Sequence, residues 1–193
     1  MNPLLEQFLP QVSTVPGRTL VPLCGKSEDL AWLVSRGHDV VGVDISDIAA
    51  RAFASEQKIP VTVVNEPPFT ILSGERFAYH VGDFFNIKPG RIGRFNLIYD
   101  RAALIALPPE TRPAYARQLK SLLASDGLIL LISLEYDPKR MAGPPFHVPE
   151  TEVRSLFSDF NVDRLHQHDC IEEESHFKER GLDWMKEVVY HVH

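Results

Sequence analysis

The sequence predicts an α/β fold, a doubly wound sheet of seven strands with helices on both faces. Short apolar runs of strand length alternate with longer stretches of helical periodicity along the chain. The clearest strand–helix–strand unit runs from Arg18 to Ser46, and such a connection favours two parallel strands. The most apolar run, Leu128–Leu134, suits a central strand. At 193 residues, the chain is expected to form one domain, 1–193, with a sizeable core.

The strand–helix–strand unit begins with a predicted buried strand at Thr19–Leu23 and a tight turn at Cys24-Gly25-Lys26. Ser27 is a suitable cap for the helix that follows, and Gly37 ends this helix as a left-handed residue would. A second buried strand, Asp39–Val43, completes the unit. Because the two strands are parallel, both are expected to end at the same edge of the sheet.

The other elements follow from the same periodicities. We expect helices at Pro3–Leu9, Asp47–Lys58, Pro108–Leu123 and Pro149–Phe157, and strands at Phe77–Val81, Phe95–Tyr99, Asn161–His166 and Val188–His193. The segment Pro60–Gly82 is rich in β-branched and aromatic residues, and we interpret it as a hairpin leading into a sheet strand. Ile48, Ala52 and Phe53 are expected on the inner face of their helix.

The composition is that of a soluble globular protein and argues against several classes of function. Twenty basic residues against 26 acidic ones give a net charge of -6, which argues against a nucleic-acid partner. No apolar run approaches the roughly 20 residues of a membrane span, and no signal peptide is visible. Cys24 and Cys170 have no paired spacing. They are expected in a reducing cytoplasm rather than in a disulfide or zinc site.

A nucleoside site is the chemistry expected of the first unit. A glycine in the turn lets a ligand approach the backbone, and a carboxylate about 20 residues further on accepts hydrogen bonds from two ribose hydroxyls. Gly25 and Asp44 have this spacing. The alternative is that Gly25 only turns the chain and that Asp44 only caps the helix starting near Ser46.

Two competing motifs fail in the same stretch. Gly25-Lys26-Ser27 resembles the end of a phosphate-binding loop, but that loop needs a glycine where Leu20 stands. The dinucleotide fingerprint needs three glycines, and only Gly25 is present. A nucleoside ligand without a pyrophosphate therefore fits better, and S-adenosylmethionine is the commonest such cofactor on this architecture.

Two further predicted strands also end in polar or aromatic residues. Asp83 and Phe84 follow one strand and are suited to an adenine, although Phe84 could equally be core and Asp83 a turn cap. Asp100 and Arg101 end the next strand. Arg101 is either a fixed cation facing a ligand or half of a buried structural pair with Asp100.

The segment Asp137–Phe146 is too rich in proline and glycine for regular structure. With Met141 and Phe146 it could wall an apolar pocket, or it could be a rigid connector. The eight histidines show no metal-ligand spacing, so no metal site is expected. Four histidines alternate along predicted strands and are expected at the surface: His166, His168, His191 and His193. No G-x-S-x-G motif supports a serine nucleophile.

Taken together, several blocks closely resemble the thiopurine S-methyltransferases, particularly the bacterial branch. They occur in family order from about residue 18 to the end of the chain. The blocks are Val21-Pro22-Leu23-Cys24-Gly25-Lys26-Ser27, Gly37-His38, Val40-Val41-Gly42-Val43-Asp44-Ile45-Ser46, Gly82-Asp83-Phe84-Phe85, Tyr99-Asp100-Arg101-Ala102-Ala103-Leu104, Met141-Ala142-Gly143-Pro144-Pro145-Phe146 and Arg180-Gly181-Leu182.

The resemblance implies a class I methyltransferase with a Rossmann-like, mostly parallel sheet and an antiparallel last strand. It would use S-adenosylmethionine, release S-adenosylhomocysteine, need no metal and methylate the sulfur of a small thiol as a monomer. By family position, the cofactor-binding residues would be Leu23, Gly25, Asp44, Ile45, Asp83, Phe84 and Arg101. Arg101 would also be the catalytic cation beside the acceptor, and Met141 and Phe146 would contact the acceptor.

The chain departs from the family pattern in three places. Asp44 stands where the family usually has Glu, and His176 stands where an Arg is common. The tryptophan-rich N-terminal extension that covers the cofactor in the family is not expected here, since the chain starts just beyond it. The resemblance also leaves other readings open: methylation of halide, thiocyanate, selenium or tellurium species, a non-catalytic S-adenosylmethionine-binding protein, or an ATP-binding enzyme using Gly25-Lys26-Ser27.

Overall fold

The computed structural model describes all residues from 1 to 193. The chain divides into two compact units. The first comprises residues 1–99 and 119–128, and the second comprises residues 100–118 and 129–193. None of the helices is both long enough and apolar enough to cross a membrane.

The first unit is organised around six strands. In chain order these are β1 (Arg18–Pro22), β2 (Asp39–Asp44), β3 (Thr62–Glu66), β4 (Phe69–Gly74), β5 (Phe77–Val81) and β6 (Phe95–Arg101), the last of which runs on into the second unit. Their order across the sheet is β3-β4-β5-β2-β1-β6. The helices are α1 (Pro3–Val12), α2 (Asp29–Ser35), α3 (Asp47–Glu56) and the short α4 (Pro89–Ile92).

The centre of this sheet is parallel, and its two outer strands are antiparallel. β1 pairs with β2 and β6, and β2 pairs with β5, in each case in parallel. β3 and β4 form an antiparallel hairpin that continues antiparallel onto β5. Because the central strands are parallel, the carboxyl ends of β1, β2 and β5 meet at one edge.

The helix α2 is held to the sheet by apolar contacts and by a buried carboxylate. Leu30 and Leu33 are fully buried. Asp29, also buried, accepts hydrogen bonds from the backbone N–H of Asn2 at 2.7 Å and from the Tyr99 hydroxyl at 3.0 Å. Gly37 follows the helix with φ +91°, which confirms the predicted left-handed residue.

The second unit contains three antiparallel strands and three helices. The strands are β7 (Leu123–Glu135), whose first residues belong to the first unit, β8 (Val162–Asp169) and β9 (Lys186–Val192), in the order β7-β9-β8. The helices are α5 (Arg112–Leu122), which also begins here and ends in the first unit, α6 (Glu150–Leu156) and α7 (Ser175–Glu179). β7 and β9 carry the core of this unit, since their inward residues from Ile129 to Leu134 and from Val188 to Tyr190 are buried.

The predicted α/β class is confirmed, but two details are wrong. The structure has nine strands rather than seven, because the hairpin predicted within Pro60–Gly82 contributes β3 and β4 in addition to β5. The sheet is also mixed rather than mostly parallel, since β3, β4, β8 and β9 all have antiparallel neighbours. A hairpin returns its own chain, so it adds antiparallel strands without a crossover helix that would mark them in the sequence.

A third expectation concerned the inner face of α3. Phe53 is buried as predicted, but Ile48 is 82% exposed, and the small residues Ala50 and Ala54 take its place in the core. Ile48 lies in the first turn of α3, directly beside the carboxyl end of β2. Its exposure leaves apolar surface where the sequence pattern predicted a packing contact.

Candidate functional site

The turn after β1 exposes backbone to a possible ligand. Leu23 and Gly25 both have positive φ, +47° and +49°. The turn is held by the Cys24 N–H, which donates to the Val43 carbonyl at 3.1 Å, and by the Ser27 N–H, which donates to the Cys24 carbonyl. A Cβ atom placed on Gly25 would meet nothing within 4 Å, so the space above this residue is open. A ligand can therefore approach the backbone here, as the glycine spacing predicted.

Asp44, the last residue of β2, ties the turn to the neighbouring helix. Its Oδ2 accepts a hydrogen bond from the Gly25 N–H at 3.0 Å, and its Oδ1 accepts one from the Ser46 N–H at 2.9 Å. The carboxylate is half-buried, and each oxygen keeps a further lone pair for a ligand hydroxyl. Ser46 itself caps α3 by accepting from the Ala49 N–H at 3.1 Å. Asp44 is therefore oriented by two backbone N–H groups before any ligand arrives.

Tyr79 supports the same turn and was not found by sequence reasoning. This residue of β5 is buried, and its hydroxyl donates to the Gly25 carbonyl at 2.8 Å. Burial raises the pKa of Tyr79, so the hydroxyl stays protonated and remains a donor. Only the register of β5 against β2 shows this contact, because the two residues are far apart in sequence.

The neighbouring thiol of Cys24 is inert. Burial raises its pKa to about 12, so the side chain is a neutral thiol at physiological pH. Its sulfur lies close to Gly42, where a Cβ atom would approach it to 2.9 Å. Cys24 therefore packs between β1 and β2 and has no role as a nucleophile.

An apolar surface lies beside Asp44. Ile45 is 79% exposed, and Ile48, three residues further on in the first turn of α3, is 82% exposed. Two large aliphatic side chains in water next to an oriented carboxylate are unusual for a surface that meets only solvent. They form exposed apolar surface close in sequence to this carboxylate.

Asp83 and Phe84 follow β5 at the same edge. The Gly82 N–H donates to the Asp44 carbonyl at 2.9 Å, which places this segment directly beside the end of β2. Asp83 is exposed, and one of its oxygens accepts from the Phe85 N–H at 2.9 Å. Phe84 is only 4% exposed and contacts the Phe85 ring edge to face at 5.9 Å. Asp83 is thus accessible to a ligand, whereas Phe84 contributes mainly to the core.

Asp100 and Arg101 do not form the buried pair that the sequence left open. Asp100 is fully buried, accepting hydrogen bonds from the Tyr115 hydroxyl at 2.7 Å and from the Leu104 N–H at 3.1 Å. Burial raises its pKa to about 6, although these hydrogen bonds oppose the shift. Arg101 is exposed and makes no hydrogen bond or ion pair. Its guanidinium group is therefore free to meet a ligand.

Arg101 lines a cavity of about 250 Å³ in the second unit. We call it the Arg101 cavity, and its apolar wall comes from Ala102, Ile105, Ile132, Leu134, Pro145, Phe177 and Met185. Two carboxylates, Glu174 and Glu187, and the thiol of Cys170 complete the lining. The volume lies slightly below the roughly 300–1,000 Å³ of typical small-molecule sites, and a few polar groups in an apolar wall are typical of such sites.

Glu187 is the functional candidate that sequence reasoning missed. It is half-buried near the start of β9, and burial raises its pKa, while electrostatic interactions with His168 and Arg101 partly oppose this effect. Its carboxylate lies 3.7 Å from the His168 ring. No motif marks it, since it is one charged residue in an alternating strand, and only the pairing of β9 shows that it faces the cavity.

Met141 and Phe146 lie in a neighbouring depression rather than in the Arg101 cavity. They line it together with Arg112, Tyr136 and His147. The Arg112 guanidinium lies 5.6 Å from the Phe146 ring centre, and its Nη1 donates to both carboxylate oxygens of Glu152, at 2.9 and 2.8 Å. This part of the loop therefore surrounds a buried ion pair.

One residue of the same loop does reach the Arg101 cavity. Pro145 lines it, and its carbonyl accepts a hydrogen bond from the Tyr136 hydroxyl at 2.7 Å. The next residue, Phe146, donates its N–H to the Ile105 carbonyl at 2.6 Å. The loop is thus anchored on both sides of the point where it forms the cavity wall.

A sequence model of the thiopurine S-methyltransferase family matches residues 1–193. The thiopurine S-methyltransferase of Azotobacter vinelandii is 42% identical over 194 residues, covering 100% of this chain and 89% of the relative. That of Aliivibrio fischeri strain MJ11 is 44% identical over 191 residues, covering 98% of this chain and 88% of the relative. These identities extend over the whole chain rather than over the strand–turn–helix region alone.

Solved structures share the fold at low sequence identity. A Burkholderia thailandensis 1,6-didemethyltoxoflavin-N1-methyltransferase with bound S-adenosylhomocysteine has a TM-score of 0.64 and 17% identity, covering 97% of this chain and 76% of that one. A S-adenosylmethionine-dependent methyltransferase from Methanosarcina mazei has a TM-score of 0.67 and 16% identity, covering 100% and 97%. At these identities the likeness establishes the Rossmann-like methyltransferase fold.

Proposed function

The chain belongs to the thiopurine S-methyltransferase family, and we propose that it transfers the methyl group of S-adenosylmethionine to the sulfur of a small aromatic thiol. The observation that carries the proposal is the bridging carboxylate of Asp44, which accepts hydrogen bonds from Gly25 and Ser46 at the carboxyl edge of a parallel sheet. This is the position at which open α/β sheets bind nucleoside ligands.

The first unit holds the cofactor in this proposal. Asp44 accepts hydrogen bonds from the ribose hydroxyls, and the open space above Gly25 admits the methionine portion beside Leu23. Ile45 covers one face of the adenine, and Asp83 accepts from its exocyclic amino group. The residues present fit this ligand, since the turn is open, the carboxylate has free lone pairs and the apolar side chain is exposed.

The Arg101 cavity holds the acceptor in this proposal. The guanidinium of Arg101 has no partner of its own, so its charge is available to an anionic sulfur. Its apolar wall excludes water around the acceptor ring, which strengthens that attraction. Glu187 faces the same space and is suited to accept a hydrogen bond from a ring N–H of a heterocyclic thiol.

The reaction requires the protein mainly to position the acceptor thiol and to place a positive charge beside its sulfur. When bound, S-adenosylmethionine would supply a methyl carbon on a sulfonium sulfur: a new bond from the acceptor sulfur to that carbon would form as the carbon–sulfonium bond breaks, giving a methyl thioether and S-adenosylhomocysteine. An aromatic thiol is acidic enough to be partly ionised near neutral pH, so a dedicated general base is not required. Arg101 stabilises the thiolate form, and the cavity wall holds the acceptor in one orientation.

The proposal is tested by binding and turnover in one sample. Isothermal titration with S-adenosylmethionine and S-adenosylhomocysteine is followed by methyl transfer to 6-mercaptopurine, detected as the S-methyl product by mass spectrometry. Binding followed by transfer supports both halves of the proposal. Binding without transfer to any of several aromatic thiols would exclude the acceptor assignment, and absence of binding would exclude the cofactor site.

A further inference from the structure

The fold brings a group of metal-ligating side chains together at the far end of β9. Asp163 of β8 lies directly opposite His191 of β9, and residues opposite one another on paired strands share a face. His193 lies two residues beyond His191 and therefore points to the same face. The three residues come from two strands, 28 positions apart at their closest in sequence, so no local motif marks them.

The three side chains converge closely enough to share one ion. Each offers one ligand atom, and these atoms all lie within 4.8 Å of one another. The His193 Nε2 lies 3.0 Å from a carboxylate oxygen of Asp163, and the rings of His191 and His193 are nearly parallel with centres 4.3 Å apart. Metal–ligand bonds near 2.1 Å require donor atoms roughly 3.5 Å apart. The limit of 4.8 Å within which the three donor atoms lie exceeds this spacing by about 1.3 Å.

His191 gives independent support for a missing partner. Its Nε2 atom is shielded from solvent and has no hydrogen-bond partner. Buried polar atoms are nearly always paired, so an unpaired imidazole nitrogen in this cluster needs an explanation. A cation coordinated by the His191 ring would give this nitrogen a partner, and the other ring nitrogen could then donate a hydrogen bond to ordered water.

We propose that Asp163, His191 and His193 bind a divalent transition-metal ion, with Zn²⁺ as the reference case. Two imidazoles and one carboxylate match the ligand preference of Zn²⁺, whereas Mg²⁺ and Ca²⁺ prefer oxygen ligands alone. The ion links β8, the edge strand of its unit, to β9. Binding would thus add a cross-link between side chains to a backbone-paired edge, where the exposed Asp163–His193 contact already joins the two strands.

The site is separate from the Arg101 cavity. Glu187, the cavity residue on β9, precedes His191 by four positions, which is about 13 Å along an extended strand. The proposal therefore does not rest on the methyltransferase assignment, and its test needs no activity measurement.

A second pair of histidines provides a matched control. His166 and His168 have the same spacing on β8, and a bulge between Arg164 and His166 turns them to the face of Asp163 and His191. Their rings are 5.3 Å apart and inclined at 33°, and the carboxylate near them is that of Glu187, 3.7 Å from His168. The Nδ1 atom of His168 is also buried and unpaired, so this pair and Glu187 match the proposed site in ligand types and in having an unpaired nitrogen, but their ligand atoms do not converge as those of Asp163, His191 and His193 do.

The experiment is isothermal titration of the metal-free protein with Zn²⁺ and, separately, with Mg²⁺. Binding of Co²⁺ is measured by visible absorption. The variants are His193→Ala and Asp163→Asn, both at exposed positions, with His168→Ala as the control. We expect one Zn²⁺ site, no Mg²⁺ binding, and affinity at least about tenfold weaker in each of the two site variants. The control should bind within about twofold of the parent, and Zn²⁺ should raise the melting temperature of the parent and control only.

Three results would overturn the proposal. The first is unchanged Zn²⁺ affinity in both His193→Ala and Asp163→Asn, with circular dichroism showing that both variants are folded. The second is loss of binding in His168→Ala alone, which would assign the ion to the other histidine pair. The third is absence of Zn²⁺ binding by the parent at millimolar metal, which would leave the cluster as a hydrogen-bonded surface contact.

Discussion

Two strand-end aspartates that look alike in sequence have different environments in the structure. Asp44 ends β2 and Asp100 lies one residue before the end of β6, each after a run of buried apolar residues. Both accept two hydrogen bonds from the protein. Asp44 is half-exposed and keeps lone pairs for a ligand, whereas Asp100 is fully buried. A strand-end carboxylate is therefore a candidate ligand site only where solvent reaches it.

The contrast continues in the residues around them. Asp44 is held by backbone N–H groups, so its position depends little on neighbouring side chains. In the Arg101 cavity, by contrast, the charged groups lie on separate strands: the unpaired Arg101 on β6 and the half-buried Glu187 on β9. We expect substitutions at Asp100 to change stability, substitutions at Asp44 to change cofactor affinity, and those in the cavity to change turnover.

The largest expected effect is on the pH dependence of stability and comes from Asp100. Its folded pKa of about 6 lies above the ordinary value of 3.8, so its contribution to stability is greatest at low pH and is lost as the pH rises through 6. We compare the free energy of unfolding of the parent with that of Asp100→Asn. From this shift, the parent should lose about 2–3 kcal/mol relative to the variant between pH 4 and pH 7. Urea denaturation of both proteins at the two pH values measures it; a constant difference would contradict the buried assignment.

Asp44→Ala should weaken S-adenosylmethionine binding about 30- to 100-fold, since two ribose hydroxyls lose a charged acceptor worth about 2–3 kcal/mol. Calorimetric titration measures the change. Asp47→Ala is the matched control, because that carboxylate is exposed three residues further on and pairs only with Arg51. Equal affinities of parent and Asp44→Ala would remove Asp44 from the cofactor site.

Arg101→Ala should lower kcat/KM for an aromatic thiol about tenfold or more while changing cofactor affinity less than about threefold. The physical reason is loss of the one unpaired positive charge in the cavity. Arg140→Ala is a control at an exposed arginine that pairs with Asp183. A loss of cofactor affinity as large as the loss of turnover would show that Arg101 serves the cofactor instead.

The smallest expected effect belongs to Glu187. Glu187→Gln should raise KM about two- to fivefold for a thiol with a ring N–H, and should leave KM unchanged for a thiophenol, which has no such donor. The amide preserves the shape and one acceptor oxygen while removing the charge. Equal changes for both acceptors would indicate a general electrostatic effect of the carboxylate rather than recognition of a ring N–H.

Much of the fold followed from local patterns. The parallel pairing of β1 with β2, the turn at Gly25 and the left-handed Gly37 were all predicted, because short-range periodicity and glycine placement specify them. The strand count was wrong at β3 and β4, where a short hairpin adds strands without the crossover helices that make a parallel sheet recognisable.

The candidate site was predicted in part. The spacing predicted that Gly25 and Asp44 lie at one site, and the structure joins them by a direct hydrogen bond that was not predicted. Met141 and Phe146 were expected to wall a pocket, and they line a depression with Arg112 that is distinct from the Arg101 cavity. Tyr79 and Glu187 were not identified, since each meets its site through strand pairing with residues distant in sequence.

The sequence by itself determined the α/β class, the nucleoside-type turn and the family, because these depend on residues close together or on blocks in a fixed order. Only the tertiary structure decided which charged side chains are buried and which are exposed without a partner. It buried Asp100, left Arg101 unpaired and placed Asp163 opposite His191 and His193. Burial and cross-strand register are properties of the whole packed sheet, and no local pattern carries them.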